Sequence, residues 1–230
     1  MPEALSPGKL RDVYDRVARW YDREHRLLTF ASDQRGRELV VERTVRPGDR
    51  VIDAGAGTGT SALMAAGRAG PAGEVTLFDL SEGMLSEADR KAGDRGLSER
   101  LRFGRGDMTR LPFRDGAFDA AISTYSMCPL YDPAAAAREL YRVVRPGGRI
   151  GVAHSTEPDR PLIGWLARAA ERIYWRIPEI SLGCRAVEVL PALEAAGGTV
   201  TFRRKIGFPL WPFLVFVVEK PGSRRASPYR

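Results

Sequence analysis

The chain has 230 residues, 43% of them hydrophobic and 28% charged, with a formal net charge of +7. These proportions are typical of a folded globular domain, and no segment approaches the roughly 20 apolar residues of a transmembrane helix. The N-terminus lacks the basic and apolar regions of a signal peptide. The two cysteines, Cys128 and Cys184, have no metal-binding spacing. The sequence therefore favours a cytoplasmic protein without a metal site or a disulfide framework.

The positive charge is concentrated in the C-terminal part of the chain. Residues 138–230 carry 16 basic and eight acidic side chains, whereas residues 51–137 carry nine basic and 12 acidic ones. Such an excess favours an anionic partner, either an acidic membrane surface at the inner face of the cell or nucleic acid, although an arginine-rich solvated surface has the same composition. Nucleic acid is the less favoured partner, because no Asn-Pro-Pro-aromatic motif follows the fourth predicted strand. The oligomeric state stays open.

Short apolar runs alternate with helical patterns after residue 50, which predicts an α/β fold. We expect a Rossmann-like, doubly wound sheet of seven strands with the last strand antiparallel. An amphipathic helical segment, residues 9–46, precedes it as a lid over the ligand end of the sheet. The predicted strands are Arg50–Asp53, Glu74–Asp79, Leu101–Arg105, Phe118–Ser123, Arg149–His154, Val200–Lys205 and Phe213–Glu219. The predicted helices of the sheet are Thr60–Ala69, Ser81–Gly93, Pro133–Val144 and Ala186–Ala195.

A helical cap insertion, residues 155–184, is predicted after the fifth strand. Its centre, Leu162–Ile177, has an apolar face and carries aromatic residues beside arginines, which is typical either of a membrane-interface helix or of a cap that packs on the domain. The arginines are Arg168, Arg172 and Arg176. The apolar run Phe208–Trp211 would line an acceptor pocket or contact lipid. We expect a single domain over residues 1–220 and a disordered tail over residues 221–230.

The most informative stretch is the glycine turn after the first predicted strand. Asp53 ends a buried apolar run, and Gly55, Gly57 and Gly59 then alternate with small residues before a helix. Glycines allow a tight turn and a close approach of ligand to backbone, and the helix N-terminus offers unpaired N–H groups. The next apolar run ends in Asp79, where an acid binds the hydroxyls of an adenosine ribose. The pattern therefore predicts a nucleoside cofactor.

The spacing of the glycines separates two classes of cofactor. A dinucleotide site needs Gly-x-Gly-x-x-Gly, whereas the third glycine here comes one residue early. The pattern Asp53-x-Gly55-x-Gly57-x-Gly59 resembles motif I of the class I S-adenosylmethionine methyltransferases. Gly106-Asp107-Met108 and the segment Arg142–Arg149 extend the resemblance to the "methyltransferase type 11" group. The segment Tyr14–Asp22 is similar to the opening of the ubiquinone/menaquinone C-methyltransferases.

This resemblance implies S-adenosylmethionine as the cofactor and S-adenosylhomocysteine as the product. The positions implied to contact the cofactor are Asp53, Gly55, Gly57 and Gly59 at the methionine part, Ser123 and Thr124 at the sulfonium, Asp79 at the ribose, Leu80, Met84, Asp107 and Met108 at the adenine, and Tyr21 above it. Packing alone would also explain Gly59 and Met84. It would not explain Asp79 and Asp107, because buried acids need a partner.

The acceptor is less constrained than the cofactor. The segment Tyr125–Leu130 stands where quinone methyltransferases carry glycine and asparagine. An apolar or amphipathic acceptor, quinone-like or a lipid headgroup, fits the aromatic-rich cap. Methylation of oxygen or nitrogen in a water-soluble small molecule, and S-adenosylmethionine binding without turnover, remain open. If a general base is used, His154 is the best placed and Tyr125 and Tyr21 come next, although a satisfied core or rim histidine is the favoured interpretation of His154.

Overall fold

The computed structural model describes residues 4–23, 32–159, 163–165, 184–209 and 211–222. A seven-stranded sheet in the order β3-β2-β1-β4-β5-β7-β6 forms its centre. The strands are β1 (Arg50–Ala54), β2 (Glu74–Asp79), β3 (Leu101–Arg105), β4 (Phe118–Thr124), β5 (Val144–Ser155), β6 (Thr199–Phe208) and β7 (Trp211–Glu219). Strands β1 to β5 pair in parallel, and β7 is antiparallel to both β5 and β6. The predicted sheet with an antiparallel last strand is confirmed.

Helices cover both faces of this sheet. They are α1 (Pro7–Val17), α2 (Ser32–Thr44), α3 (Thr60–Ala69), α4 (Glu82–Asp94), α5 (Pro133–Val143) and α6 (Leu190–Ala195). One face packs against α5 and α6 through buried side chains such as Leu140 and Leu193. The other face packs against α2, α3 and α4 through Val40, Ala65 and Ala88. The chain is therefore wound on both sides of the sheet, which leaves the carboxyl ends of the parallel strands free for a ligand.

Most elements begin within two residues of their predicted start, but one helix and one strand begin further away. Helix α6 begins at Leu190, not Ala186, because Pro191 has no N–H and is tolerated only in the first turn. Strand β5 begins at Val144, not Arg149: Val144 pairs with Phe118 ahead of a bulge, and the pairing resumes at Arg149. The predicted Pro-Gly-Gly turn is thus an irregular part of the strand.

The N-terminal region is not one continuous helix. Helix α1 ends at Val17, residues 21–23 form a separate helical turn, and α2 follows at Ser32. The predicted arginines of the cap, Arg168, Arg172 and Arg176, lie outside the described residues, as do most of the cap and most of the C-terminal tail. Within the described ranges, no helix has the length and apolarity to cross a membrane.

Candidate functional site

A pocket opens at the carboxyl edge of the sheet, where the strand order reverses between β1 and β4. This switch point is where open α/β sheets bind their ligands. The pocket encloses about 810 Å³ of empty space, its open mouth included. Its walls come from α1, α2, the glycine turn and the segments that follow β2, β3 and β4. Residues far apart in the sequence therefore meet around one pocket.

Most of the predicted site residues line this pocket. They are Tyr21, Gly55, Gly57, Asp79, Leu80, Met84, Asp107, Met108, Thr124 and Tyr125. Among the described residues, four predicted positions do not line it: Asp53, Gly59, Ser123 and His154. The pocket thus assembles the ribose, adenine and lid positions that the sequence indicates.

Asp79 connects the second strand to the glycine turn. Its Oδ2 accepts a hydrogen bond of 2.8 Å from the Gly57 N–H, and its Oδ1 accepts one of 2.9 Å from the Ser81 N–H. Burial raises the pKa of Asp79, and these two N–H groups oppose the shift. Gly57 has φ of 53°, and no atom lies within 4 Å of where a Cβ would stand. The turn therefore presents bare backbone to the pocket beside an acid.

Asp107 lines the pocket just after β3, the strand next to β2, and is held by two hydroxyl groups. Its Oδ1 accepts 2.8 Å bonds from the backbone N–H and the hydroxyl of Thr109, and its Oδ2 accepts a 2.9 Å bond from the Tyr131 hydroxyl. A carboxylate has about four lone-pair sites, so one remains for a ligand amino group. The exposed ring of Tyr131 lies at the rim of the pocket.

Gly59 and Ser123 have packing roles in this structure. A Cβ at Gly59 would stand 2.8 Å from the Cβ of Ala88, so this glycine allows α3 to begin close to α4. The buried Ser123 hydroxyl donates to the Ala54 carbonyl at 2.9 Å. Ser126, three residues later, lines the pocket in its place. The direct contacts predicted for Gly59 and Ser123 are not seen in this geometry.

Two buried groups of opposite charge lie next to the glycine turn. The carboxylate oxygens of Asp53 and the Nε of Arg37 have no well-formed hydrogen bond among the described residues. Burial raises the pKa of Asp53 to about 7, and the charge of Arg37 opposes that shift. The Nη1 of Arg37 donates to Thr124 at 2.9 Å and to Ser61 at 3.2 Å, and Arg37 lines the pocket.

This pair of groups fits the methionine end of S-adenosylmethionine, which carries a carboxylate and an ammonium. Arg37 is 6% exposed, and its Nε lies 3.6 Å from the buried Asp33 carboxylate, so a ligand carboxylate would share the guanidinium with that ion pair. Asp53 lies behind the pocket wall, so its charge favours the ammonium at short range or through a water molecule. A buried charge is costly without a partner, and a ligand ammonium would give the Asp53 carboxylate the partner that it lacks among the described residues.

Four tyrosines line the pocket, and burial raises the pKa of three of them: Tyr14, Tyr21 and Tyr125. Their phenols therefore stay protonated at neutral pH and can donate hydrogen bonds, but they are unsuited to the predicted role of general base. Tyr125 donates to the Asp33 carbonyl at 3.2 Å, and its ring lies 5.2 Å from the Arg37 guanidinium carbon. In the described part of the chain, it is the one non-glycine residue with positive φ, 61°.

His154 lies in the core and away from the pocket. It is 1% exposed, its Nδ1 is 2.8 Å from the Ser155 carbonyl oxygen, and its ring packs edge-on against Phe216. Burial lowers its pKa. It sits in β5 opposite Leu214 of β7, whose neighbours fill the face covered by α5 and α6. The structure therefore does not place His154 where it could serve as the predicted base.

The N-terminal segment is attached to the pocket by two aspartates. Asp15 of α1 accepts a 2.5 Å bond from the Ser81 hydroxyl and a 3.0 Å bond from the Gly83 N–H. Asp22 accepts a 2.5 Å bond from the Thr58 hydroxyl in the glycine turn and pairs with Lys91. These contacts hold α1 and the helical turn at residues 21–23 over the cofactor side of the pocket.

Sequence reasoning did not identify Arg37, Ser126 or Tyr131 as site residues. Arg37 is a charged residue among the apolar positions of α2. A single such residue is only a weak indication in the sequence of a buried, functional side chain. Its partner Thr124 lies 87 residues away. Ser126 and Tyr131 follow β4. The only signal in this region is that the segment Tyr125–Leu130 lacks the glycine and asparagine of the quinone methyltransferases.

Comparison with known proteins adds independent findings. A model of the ubiE/COQ5 methyltransferase family matches residues 3–174. The demethylmenaquinone methyltransferase of Clavibacter sepedonicus is 39% identical over 162 residues, which cover 68% of this chain and 62% of that protein. The demethylmenaquinone methyltransferase of Thermus thermophilus is 36% identical over 202 residues, which cover 81% of this chain and 90% of that protein. The first match spans less than two thirds of the relative's length.

A solved structure extends the likeness to the whole fold. The [4+2]-cyclase SpnF has a TM-score of 0.72 and 23% sequence identity, and the match covers 97% of this chain and 99% of that one. Identity this low shows the fold alone. Because that protein is named as a cyclase, the fold by itself does not define the reaction. Function must therefore be inferred from the family and from the pocket.

Proposed function

Because the chain belongs to the ubiE/COQ5 methyltransferase family, we propose that it methylates a ring carbon of a hydroquinone that carries an apolar tail. S-adenosylmethionine is the cofactor of this family, and methyl transfer is its reaction. Relatives at 30–39% identity are named as menaquinone or ubiquinone biosynthesis methyltransferases. Their names suggest a quinone-like ring as the acceptor of this chain.

The observation that carries this proposal is the mixed lining of the pocket. The glycine turn, Asp79 and Asp107 give it polar groups for the cofactor. The same pocket is also lined by apolar and aromatic side chains: Leu10, Tyr14, Tyr21, Met108, Tyr125, Pro129 and Leu130. An aromatic ring with an apolar substituent suits such side chains, because they bury the tail and pack against the ring.

The side chains around the pocket favour an acceptor that needs no strong base. When bound, S-adenosylmethionine supplies a methyl group on a positively charged sulfur. The acids Asp79 and Asp107 are engaged by N–H and hydroxyl groups on the cofactor side. The tyrosines stay protonated, so they offer aromatic surface to the acceptor and do not act as a base. Catalysis then rests on proximity and alignment, and the nucleophile must be electron-rich itself, as a hydroquinone ring is.

The proposal is tested by methyl transfer to a matched series of acceptors. Purified protein with methyl-labelled S-adenosylmethionine is incubated with a dithionite-reduced naphthoquinone bearing a short prenyl tail, the same ring without the tail, and a water-soluble catechol. We expect label on a ring carbon, located by mass spectrometry and NMR, and the highest kcat/KM for the tailed hydroquinone. The unreduced quinone serves as a control and should not react.

Two outcomes would count against the proposal. The first is turnover of the catechol at oxygen with a higher kcat/KM than the tailed hydroquinone, which would support a water-soluble acceptor. The second is S-adenosylmethionine binding by calorimetry without methylation of any member of the series. The Asp79→Ala variant, impaired in cofactor binding, separates enzymatic transfer from non-enzymatic methylation.

A further inference from the structure

Large apolar side chains are exposed mainly at one edge of the molecule. The exposed aromatic residues in the described ranges are Trp20, Phe103, Tyr131, Trp165, Phe208 and Trp211. All but Phe103 lie in segments at or beyond the carboxyl ends of the parallel strands, or beside the pocket. We refer to those five residues as the aromatic edge. Their exposure on segments at this edge makes them candidates for an interaction surface.

The β6–β7 hairpin carries two residues of the aromatic edge, and one of them, Phe208, is the most exposed of the five. Phe213 of β7 pairs with Ser155, the last residue of β5, and Phe208 pairs with Trp211 further out. The tip therefore projects past the carboxyl end of β5, at the same edge as the pocket. Phe208 is 67% exposed and Trp211 is 37% exposed.

Trp20 brings the aromatic edge to the pocket itself. It is 60% exposed and precedes Tyr21, which lines the pocket. Tyr131, 46% exposed, lies at the rim on the side of Asp107. Trp165, 62% exposed, stands in the segment that follows β5. Two of the exposed rings are therefore close to the pocket: Tyr131 lines it, and Trp20 adjoins the lining residue Tyr21.

Cationic side chains accompany these aromatic residues. Arg203, Arg204 and Lys205 are consecutive and exposed on β6, and Arg19 and Arg23 flank Trp20. Lys205 forms an ion pair with Asp159. Among the described residues, Arg203 and Arg204 form no ion pair. Because a strand rises by about 3.3 Å per residue, Lys205 lies about 10 Å from Phe208 along β6. This is close to the depth of about 5–10 Å to which interfacial aromatic segments insert.

We propose that the aromatic edge docks on an anionic lipid bilayer, with the tip of the β6–β7 hairpin inserted at the interface and the β6 cations at the level of the headgroups. This inference rests on the proposed function, since an acceptor with an apolar tail is held in membranes. Aromatic residues and arginines side by side are what membrane interfaces select. A nucleic-acid partner would use a basic groove with stacked bases, and this edge presents a projecting apolar tip.

Co-sedimentation with vesicles tests the proposal without acceptor or cofactor. Vesicles of phosphatidylcholine with phosphatidylglycerol are compared with pure phosphatidylcholine at low salt and at high salt. The tip variant is Phe208→Ser with Trp211→Ser, and the charge variant is Arg203→Glu with Arg204→Glu. The matched controls are Phe103→Ser and Arg102→Glu on β3, the opposite edge strand of the same sheet.

We expect the wild type to pellet with anionic vesicles and to be released by high salt. The tip variant should lose at least tenfold in apparent affinity, and the charge variant should lose the preference for anionic lipid. Both β3 controls should behave as wild type, and calorimetry should show unchanged S-adenosylmethionine affinity in all variants, which demonstrates intact folding.

The proposal is overturned if the wild type does not pellet with anionic vesicles at low salt, or if the β3 controls lose as much binding as the tip variant. Binding to DNA or to a second protein copy through the same residues, without vesicle binding, would assign the aromatic edge to another partner. Vesicle binding together with no methylation of any hydroquinone would contradict the proposed function and leave the docking inference standing.

Discussion

The carboxylate of Asp79 combines a structural and a binding role. Each oxygen accepts one backbone N–H, from Gly57 and Ser81, and about two lone-pair sites remain. Those sites can accept the two ribose hydroxyls. We expect Asp79→Ala to weaken S-adenosylmethionine binding by about 1.5–3 kcal/mol, or about 10- to 150-fold, as measured by calorimetry. The matched control Asp89→Ala removes an exposed acid of α4 and should leave the affinity unchanged. Unchanged affinity in Asp79→Ala would refute the ribose assignment.

The raised pKa of Asp53 predicts a pH dependence of cofactor binding. Burial holds this pKa at about 7 in the free protein, against an ordinary value of 3.8. An ammonium near the carboxylate favours its ionised form, so binding below about pH 7 must first release a proton. Affinity should therefore rise with pH, by up to tenfold per unit, between about pH 5.5 and 7, and then level off.

Calorimetry across this range with the wild type and Asp53→Asn checks the prediction. The asparagine variant cannot ionise, so its affinity should be lower and nearly independent of pH. The same raised pKa makes the free protein take up a proton on folding between about pH 4 and 7, so this group's contribution to stability falls as pH rises through that window. A wild-type affinity that is flat across the range would contradict a charge interaction with Asp53.

The residues of the site differ in how far the sequence reveals them. Asp79 and Gly57 were predictable, because a strand end and a turn place them by local rules of the α/β fold. Arg37 was not, because its role depends on Thr124, Ser61 and the pocket, which only long-range packing brings together. His154 is the opposite case: the sequence indicated it as a site residue, but its side chain lies in the core. The end of β5 lies at the right edge, but the alternation of the strand turns this side chain into the core.

At the level of elements, the attachment of α1 to α4 is a separable feature. Asp15 receives bonds from the Ser81 hydroxyl and the Gly83 N–H, and a Cβ at Gly83 would stand 3.2–3.3 Å from Asp15 atoms. The helices therefore meet closely at this point. Helix α1 also contributes Pro7, Leu10, Arg11 and Tyr14 to the pocket.

We expect Asp15→Ala to destabilise this attachment by about 1–2 kcal/mol, because two hydrogen bonds are lost at an exposed position. Amide hydrogen exchange over residues 7–17 should accelerate about 5- to 30-fold, while exchange in β1 and β4 stays unchanged. Asp12→Ala is the control on the same helix, since Asp12 contacts its neighbour Arg11. Equal acceleration in both variants would mean that Asp15 does not anchor α1.

The secondary structure shows what local patterns determine and what they leave open. Strands β1 to β4 end within one residue of their predicted limits, because apolar runs and charged or glycine boundaries coincide there. Helix α6 differs because the pattern extended the helix through Pro191, whose missing N–H restricts it to the first turn. The early part of β5 depends on the pairing of Val144 with Phe118, which no local pattern encodes.

At the scale of the whole molecule, the choice of cofactor should appear in thermal stability. A ligand at 100 times its Kd stabilises the folded state by about 2.7 kcal/mol. For a chain of 150–250 residues, each kcal/mol shifts Tm by about 2–4 °C, so S-adenosylmethionine should raise Tm by about 5–10 °C. NAD and NADP at millimolar concentration should leave it unchanged. The third glycine comes too early for a pyrophosphate, and the space at Gly59 is closed by Ala88.

Differential scanning fluorimetry with the three cofactors decides this point, and S-adenosylhomocysteine is the positive control because it keeps the adenosine and amino-acid parts. Asp79→Ala should lose most of the shift produced by S-adenosylmethionine, whereas Asp89→Ala should keep it. This pattern would connect a property of the whole molecule to one carboxylate at the end of β2. A stabilisation by NAD as large as that by S-adenosylmethionine would mean that the glycine turn accommodates a pyrophosphate, and the assignment of the pocket would have to be abandoned.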